Sequence, residues 1–318
     1  MRSWFVRAAS AAVLGAVCLG AGGPAAVPSA RPVPFEPFPL ARGTWLQDLA
    51  FAPDGRTLYA TLGIRPCCTV VVSQRAGAGW TRPATAPFSG VWRDLEEVLS
   101  PDGREMIFAS NRPVRPGGAV LDAFYNGRAR RGTGGNLWRV QRSGAEWGTP
   151  ERLPDAVNAS TSTFSPAIAA DGTLYFMRAT GPRGTFHLFV ARRAGGVYRA
   201  SAPAPFGDPR YAEFDPTLAP DDSYVVFAST RPPSRPKTAD LFIAFRWGDG
   251  WTTPRDLGRS IDSAGDANEP RIAPDGRTLT FTSAADLTHG AMKAVRGAQR
   301  RLWRVDLSPW LAAWRGRS

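Results

Sequence analysis

Acidic side chains recur at one position of a phrase that this sequence repeats five times. They stand six residues before an aspartate in a turn of the Pro-Asp-Gly type, and four of the five positions are acidic: Asp48, Glu96, Asp215 and Glu269, with Ser165 in the third unit. In a ring of repeats these carboxylates would form a circle that could bind a ligand or a cation such as Ca²⁺, because carboxylate oxygens are hard ligands. The alternative is that each carboxylate accepts hydrogen bonds from backbone N–H groups or pairs with an arginine. We favour the alternative, because duplication of the repeat would also duplicate a structural contact.

Hydrolysis of glycosidic bonds is a second chemistry that carboxyl groups could support. It needs an acid and a base or nucleophile about 5 to 9.5 Å apart. The candidates for this role are Asp94, Glu96, Glu97, Glu213 and Asp215. Catalytic carboxyls need unequal environments, whereas several of these residues occupy repeat positions. The sequence therefore favours a binding module without catalytic activity, with a glycoside hydrolase-like enzyme as the alternative.

Other catalytic and redox sites find little support in the residue inventory. The chain has only two histidines, His187 and His289, and contains no Gly-x-Ser-x-Gly motif and no phosphate-binding loop. Cys67 and Cys68 are adjacent, and neighbouring Cα atoms across a trans peptide lie closer together than an ordinary disulfide allows. We expect two partly buried free thiols, with a redox-active pair or an intermolecular bridge as alternatives.

The repeated phrase predicts the fold that must position these residues. Its turn aspartates recur about every 50 residues, with one longer interval, which is a spacing typical of propeller blades: Asp54, Asp102, Asp171, Asp221 and Asp275. Proline, aspartate and glycine in that order form a tight turn, and short β-branched and aromatic runs follow it, as expected for buried strands. The units lie near residues 43–90, 91–158, 159–207, 208–262 and 263–318.

These units predict an all-β protein made of a single β-propeller with four-stranded antiparallel blades. We expect five blades, and the last unit has too little chain left for its own fourth strand. The segment Val33–Leu40 precedes the first repeat and could supply that strand. Pairing of this N-terminal strand with the last unit would close the ring and protect its edges.

The repeats resemble those of the TolB-like family of β-propellers, whose units combine an acid, a Ser-Pro-Asp-Gly-like turn and a later Gly-x-Trp-x-x-Pro segment. The best matches are the segments Glu269–Gly276 and Gly250–Gly258, and the resemblance covers nearly the whole chain after residue 30. The third unit departs with Ala170 in place of proline, and the fourth with Asp222 in place of glycine. The resemblance implies a WD-repeat-like propeller that binds a partner, and it specifies no chemistry.

The first thirty residues predict export. Arg2 and Arg7 flank the apolar run 8–20, and small residues follow to Ala30, which is typical of a secretory signal peptide. We expect a periplasmic or extracellular protein that is not transmembrane once processed. A retained N-terminal anchor and a lipid at Cys18 are the alternatives.

The strong positive charge is carried almost wholly by arginine. The net charge is +12 at pH 7. Export makes nucleic acid an unexpected partner, so the expected partner is a protein or glycan of the envelope or exterior, bound by a monomer. The basic insertion Arg112–Arg131 is interpreted as a solvated loop rather than a recognition loop.

Overall fold

The computed structural model describes residues 28–63, 67–235, 238–262, 267–283 and 301–314. Residues 1–27 of the predicted signal peptide, including Cys18, lie outside these residues, as does His289. Five antiparallel sheets follow one another along the described chain, and each is a blade whose first strand lies at the centre of the ring. The prediction of an all-β, five-bladed propeller is confirmed.

The first two blades show the common plan of three long strands and an outer strand in short pieces. A short strand, β1 (Val33–Pro34), precedes them. Blade 1 consists of β2 (Trp45–Phe51), β3 (Thr57–Gly63), β4 (Thr69–Ala76), β5 (Gly79–Trp80) and β6 (Ala84–Thr85). Blade 2 begins with β7 (Asp94–Leu99) and β8 (Glu105–Ser110), and a small inserted hairpin follows, formed by β9 (Ala123–Tyr125) and β10 (Arg128–Arg130). It ends with β11 (Asn136–Ser143), β12 (Glu146–Trp147) and β13 (Glu151–Arg152).

The remaining blades repeat this plan. Blade 3 contains β14 (Thr163–Ile168), β15 (Leu174–Thr180), β16 (Thr185–Ala191), the short pair β17 (Arg193–Ala194) and β18 (Val197–Tyr198), and β19 (Ala202–Pro203). Blade 4 contains β20 (Glu213–Leu218), β21 (Tyr224–Ser229), β22 (Asp240–Trp247), β23 (Gly250–Trp251) and β24 (Arg255–Asp256), followed by helix α1 (Arg259–Asp262). Blade 5 contains β25 (Asn268–Ile272), β26 (Thr278–Ser283) and β27 (Arg301–Asp306), and helix α2 (Ser308–Trp314) follows it. Neither helix is long enough to span a membrane, and the described residues contain no other helix that could.

The N-terminal strand closes the ring as predicted. Strand β1 pairs antiparallel with β27, with Val33 opposite Arg304 and Pro34 opposite Trp303. The N–H of Phe35 extends the pairing by donating to the carbonyl of Leu302 at 2.9 Å. Blade 5 therefore takes its fourth strand from the start of the chain, which covers the edge that β27 would otherwise expose.

The Pro-Asp-Gly turns join the first and second strands of the blades and define one face of the ring, here called the turn face. In blade 1 an Asp54 oxygen accepts hydrogen bonds from the N–H groups of Arg56 and Thr57, at 2.7 and 2.8 Å. The following Gly55 adopts a φ of 62°. Asp222 takes the glycine position in blade 4 with a φ of 56°, because a short polar side chain tolerates the left-handed conformation.

Aromatic side chains of the outer strands pack against the preceding blade. Trp147 meets Tyr59 edge to face at 6.1 Å, and its indole N–H donates to the tyrosine hydroxyl at 3.0 Å. Trp251 meets Tyr175 at 6.4 Å in the equivalent place between blades 3 and 4. These repeated contacts hold neighbouring blades at a fixed angle around the axis.

Candidate axial site

A β-bulge lies at or beside the repeated acidic position in every blade. The register between the first and second strands shifts at this position in blades 2 to 5, for example between Leu95 and Val98, and in blade 1 it shifts one residue earlier, between Leu46 and Asp48. Four of the residues at the bulge have a positive φ although none is glycine: Glu96, Ser165, Asp215 and Glu269, with φ from 45° to 57°. A bulge re-aims the side chain of the extra residue, and here the side chains of Glu96, Ser165 and Asp215 reach the neighbouring blade.

These residues, with Asp48 of blade 1, form a ring of contacts that we call the axial belt: Asp48, Glu96, Ser165, Asp215 and Glu269. Between blades 2 and 3, Glu96 Oε2 accepts from the N–H of Ser165 at 2.8 Å. Between blades 3 and 4, the Ser165 hydroxyl donates to Asp215 Oδ1 at 2.7 Å. Between blades 4 and 5, the N–H of Glu269 donates to Asp215 Oδ2 at 3.2 Å.

Arg271 and Thr61 complete the circle on either side of blade 1. The Arg271 guanidinium donates to Asp48 Oδ2 at 2.5 Å and so joins blade 5 to blade 1, although the two residues are 223 positions apart in the chain. The Thr61 hydroxyl joins blades 1 and 2, since it donates to Glu97 Oε2 at 2.7 Å and accepts from the N–H of Glu96 at 3.0 Å. Every pair of adjacent blades is therefore linked at the level of the belt.

The belt gathers buried carboxyl groups around the Arg271 guanidinium, and the positive charge of Arg93 also acts on Glu96. Burial raises the pKa of Glu96 and of Glu97 to about 7, and the nearby Asp215 adds to the effect on Glu96. Burial also raises the pKa of Asp48 and of Glu269 well above the usual range. Burial alone would lower the pKa of Arg271, but Asp48 and the other carboxylates outweigh it and raise that pKa. Near neutral pH the belt therefore binds protons that exposed carboxylates would release.

The belt oxygens are directed mainly at donors of the protein itself. Asp48 Oδ1 accepts from the N–H of Leu49 at 2.6 Å, and both Asp215 oxygens have donors. At the level of the belt, among the described residues, Glu97 Oε1 and Glu269 Oε2 are buried without a hydrogen-bond partner, and the latter lies 3.9 Å from an Arg271 nitrogen. Within the described parts of the chain, no three His, Cys, Asp or Glu side chains are grouped closely enough to hold a metal ion.

A pocket on the axis lies between the belt and the turn face. This axial pocket has a volume of about 280 Å³, and all five blades contribute to its walls. The residues two positions after the belt line it: Ala50, Val98, Ala167, Thr217 and Arg271. Exposed prolines surround it on the turn face: Pro53, Pro101, Pro220 and Pro274. Arg271 is the only charged residue at its repeat position, and a comparison of the repeats could have singled it out.

The polar groups in the walls of the pocket are largely occupied. The Thr217 hydroxyl accepts from the N–H of Ile272 at 3.2 Å, and the Ser100 hydroxyl donates to Asp102 at 2.6 Å. Asp222 Oδ2 accepts from the N–H of Ala170 at 2.9 Å. Arg271 Nε is buried and has no hydrogen-bond partner. The pocket thus presents mainly aliphatic and proline surface to a ligand.

Asp94 and Glu213, two of the hydrolase candidates, lie two residues before the belt position in their strands. Asp94 bonds the Arg112 guanidinium at 2.5 Å and the Ser110 hydroxyl at 2.6 Å. Glu213 forms an ion pair with Arg231, and burial raises the pKa of this carboxyl to about 7 although the guanidinium acts to lower it. Arg112 and Arg231 occupy equivalent Ser-x-Arg-Pro segments, a repeat that sequence reasoning missed.

Cys67 and Cys68 are joined by a disulfide bond in the structure, where the sequence favoured two free thiols. That expectation used the spacing of a trans peptide, and the bond between these two residues is cis. The pair lies just before β4 in blade 1, away from the residues that line the axial pocket.

Comparison with known proteins supports the fold alone. No protein-family model matches the sequence, and no curated protein sequence is significantly similar to it. A thermostable family-43 glycoside hydrolase is similar in structure, with a TM-score of 0.52, 10% identity, and coverage of 83% of this chain and 90% of that one. The putative TolB from Agrobacterium tumefaciens has a TM-score of 0.47 at 15% identity, covering 82% and 83% of the two chains. TolB from Acinetobacter baumannii has a TM-score of 0.49 at 12% identity, covering 83% and 55%. At these identities the choice between a binding protein and an enzyme stays open.

Proposed function

We propose that the protein is an exported binding propeller without catalytic activity, and that the axial pocket holds its ligand. The observation that carries the proposal is the pocket itself, which all five blades wall, mainly with aliphatic and proline side chains. Binding sites of proteins are typically concave and mainly apolar with few polar groups, and this pocket fits that description. Export rests on the signal peptide that the sequence predicts.

The sequence candidates take two roles in this proposal. Asp48 orients Arg271 at the floor of the pocket through their ion pair. Glu96, Asp215 and Glu269 hold the blades together through the axial belt. A hydrolase would need a pair of carboxyls that face its substrate, whereas Glu96 Oε2 and both Asp215 oxygens accept hydrogen bonds from backbone N–H groups and a serine hydroxyl.

The walls of the pocket favour an apolar group over a sugar. A sugar ring is held by hydrogen bonds to its hydroxyls, and the wall groups Thr217, Ser100 and Asp222 already have partners. An apolar group gains from leaving water without needing such partners. We therefore propose a protein ligand that inserts apolar side chains from the turn face, and a glycan becomes the outcome that would contradict this.

An apolar dye tests the pocket directly. N-phenyl-1-naphthylamine, a neutral probe that fluoresces when it leaves water, is titrated into the protein and into two Val→Trp variants. Val98→Trp fills the wall of the pocket, while Val91→Trp adds the same side chain at a position that is 83% exposed. We expect saturable binding of one dye per chain that Val98→Trp weakens at least about tenfold and Val91→Trp leaves unchanged.

Two further measurements separate the alternatives. Melting curves with calcium and with a chelator should coincide if the belt is structural. A higher melting temperature in calcium would instead support the hypothesis that the ring of carboxylates binds a cation. Arabino-oligosaccharides should neither shift the melting curve nor be cleaved. Equal dye affinity for Val98→Trp and the parent, or release of sugar products from the oligosaccharides, would overturn the proposal.

A further inference from the structure

The insertion in blade 2 is a docked hairpin, not the solvated loop expected from the sequence. Strands β9 and β10 lie against the turn between β15 and β16 of blade 3. The N–H of Gly127 donates to the carbonyl of Arg183 at 2.7 Å, and that of Asn126 to Gly184 at 3.1 Å. The Tyr125 ring packs on Phe186 with centroids 5.1 Å apart. The hairpin follows β8 at the end opposite its Pro-Asp-Gly turn, so it lies on the face away from the axial pocket.

Four arginines are fixed together by this docking, and we call them with their hairpin the basic patch: Arg128, Arg130, Arg131 and Arg183. Arg128, Arg131 and Arg183 are exposed, and Arg130 stacks over the Tyr125 ring at 4.3 Å. Among the residues that the structure describes, none of the four forms an ion pair. The single carboxylate of the insertion, Asp122, accepts from the N–H of Gly132 at 2.6 Å. The patch therefore presents a concentrated positive charge to solvent.

Large apolar side chains are exposed in the same insertion. Val114, Val120 and Phe124 are 47%, 41% and 44% exposed. Phe124 pairs with Ala129, whereas Tyr125 pairs with Arg128 and Ala123 with Arg130, so the Phe124 side chain lies on the opposite face of the hairpin from Tyr125, Arg128 and Arg130. An acidic polysaccharide would use the arginines alone. Strand β9 is hydrogen-bonded to Ser162 of blade 3, so β10 is the outer edge of the hairpin, and a phospholipid bilayer that contacts this edge would meet both faces. Its headgroups attract the arginines while its acyl chains bury the valine and phenylalanine side chains.

We propose that the basic patch, with Phe124, Val114 and Val120, docks the propeller on an anionic phospholipid surface. The protein would lie on the membrane by its insertion, with the turn face and the axial pocket directed away from the lipid. Each arginine close to an anionic surface strengthens binding by roughly fivefold, and the attraction falls off within a Debye length. This inference is independent of the ligand of the pocket.

Vesicle sedimentation tests the charge contribution. The chain from Pro28 to Ser318, which contains every described residue, is mixed with vesicles of phosphatidylcholine, with or without about 30% phosphatidylglycerol. We expect binding only to the anionic vesicles, and at least about 20-fold weaker binding for Arg128→Glu/Arg131→Glu. The matched control is Arg56→Glu/Arg104→Glu, which makes the same change of charge at exposed residues of the turn face and should alter binding less than about threefold.

Phe124→Ser distinguishes a membrane from another polyanion. It should weaken vesicle binding by about five- to tenfold while leaving any retention on a heparin column unchanged. Melting curves of all variants should match the parent, because the altered side chains are exposed. Equal losses of vesicle affinity for Arg128→Glu/Arg131→Glu and for the control Arg56→Glu/Arg104→Glu would overturn the proposal. Heparin retention that needs Arg128 and Arg131, with no vesicle binding, would also overturn it and assign the patch to an acidic polysaccharide.

Discussion

Glu97 is fully buried beside the axial belt, and only one of its two carboxylate oxygens has a hydrogen-bond donor. Burial raises the pKa of this carboxyl to about 7, from 4.5 in an unfolded chain. The folded protein therefore favours the protonated form. Stability from this group is fully present below about pH 4.5 and is lost as the pH rises through about 7.

The substitution Glu97→Gln removes this titration and keeps the size of the side chain and the acceptor for the Thr61 hydroxyl. The difference between 4.5 and about 7 corresponds to at most about 3 kcal/mol of unfolding free energy. At about pH 5 most of that loss has not yet occurred in the parent, and at about pH 8 nearly all of it has. We expect the unfolding free energy of the variant, relative to that of the parent, to be about 2 kcal/mol higher at about pH 8 than at about pH 5.

Urea unfolding followed by tryptophan fluorescence measures this difference at each pH. Glu146→Gln is the matched control, because it makes the same substitution at an exposed residue of blade 2 and should give the same difference from the parent at both pH values. The reasoning would be refuted if the unfolding free energy of Glu97→Gln, measured relative to that of the parent, stays constant or falls as the pH rises. It would mean that Glu97 is ionised in the folded protein without cost.

Two further predictions concern closure of the ring and the buried arginine pairs. A chain that begins at Glu36 lacks β1 and should lose about 2 to 4 kcal/mol of unfolding free energy, because the edge of β27 and its apolar contacts become exposed. Arg231→Met leaves Glu213 buried without its partner and should cost about 3 to 5 kcal/mol. Arg139→Met breaks a pair whose acid is largely exposed and should cost less than about 1 kcal/mol.

Urea midpoints measure both effects. A chain that begins at Arg31 retains β1 and serves as the control for the truncation, so equal midpoints for the two chains would show that the ring does not depend on this strand. Similar losses for Arg231→Met and Arg139→Met would contradict the view that burial of the acid, and not the ion pair itself, sets the cost.

The fold could be read from the sequence because its signals are local and repeated. The Pro-Asp-Gly turns are visible through the residue types that the turn requires, and the shortage of chain after β27 indicates that another segment must supply the last strand. The position of the acids in a ring followed from the same repeat. Each of these inferences needed only neighbouring residues or the count of the repeats.

The contacts of the site could not be read in this way, because they depend on where the backbone bends and which blades meet. A bulge with positive φ at Glu96 or Asp215 carries no glycine to signal it. The partner of Asp48 is Arg271, which becomes its neighbour only when blade 5 meets blade 1. Likewise, docking of the hairpin depends on Tyr125 reaching Phe186 in the next blade.

The repeated acid is used differently around the ring, and this asymmetry bears on function. Blade 3 has Ser165 where the other blades have acids, and the Ser165 hydroxyl donates to Asp215. A serine at this position thus supplies a hydrogen-bond donor, whereas a fifth carboxylate would add repulsion. Blade 5 has Arg271 two positions after its belt residue, and this side chain pairs with Asp48 and also reaches the axial pocket. A belt that only joined the blades would be satisfied by serine and protonated acids throughout. The Arg271 guanidinium at the floor of the pocket is therefore the clearest departure of one blade from the pattern that the other four share. It lies where the proposed ligand, entering from the turn face, would end.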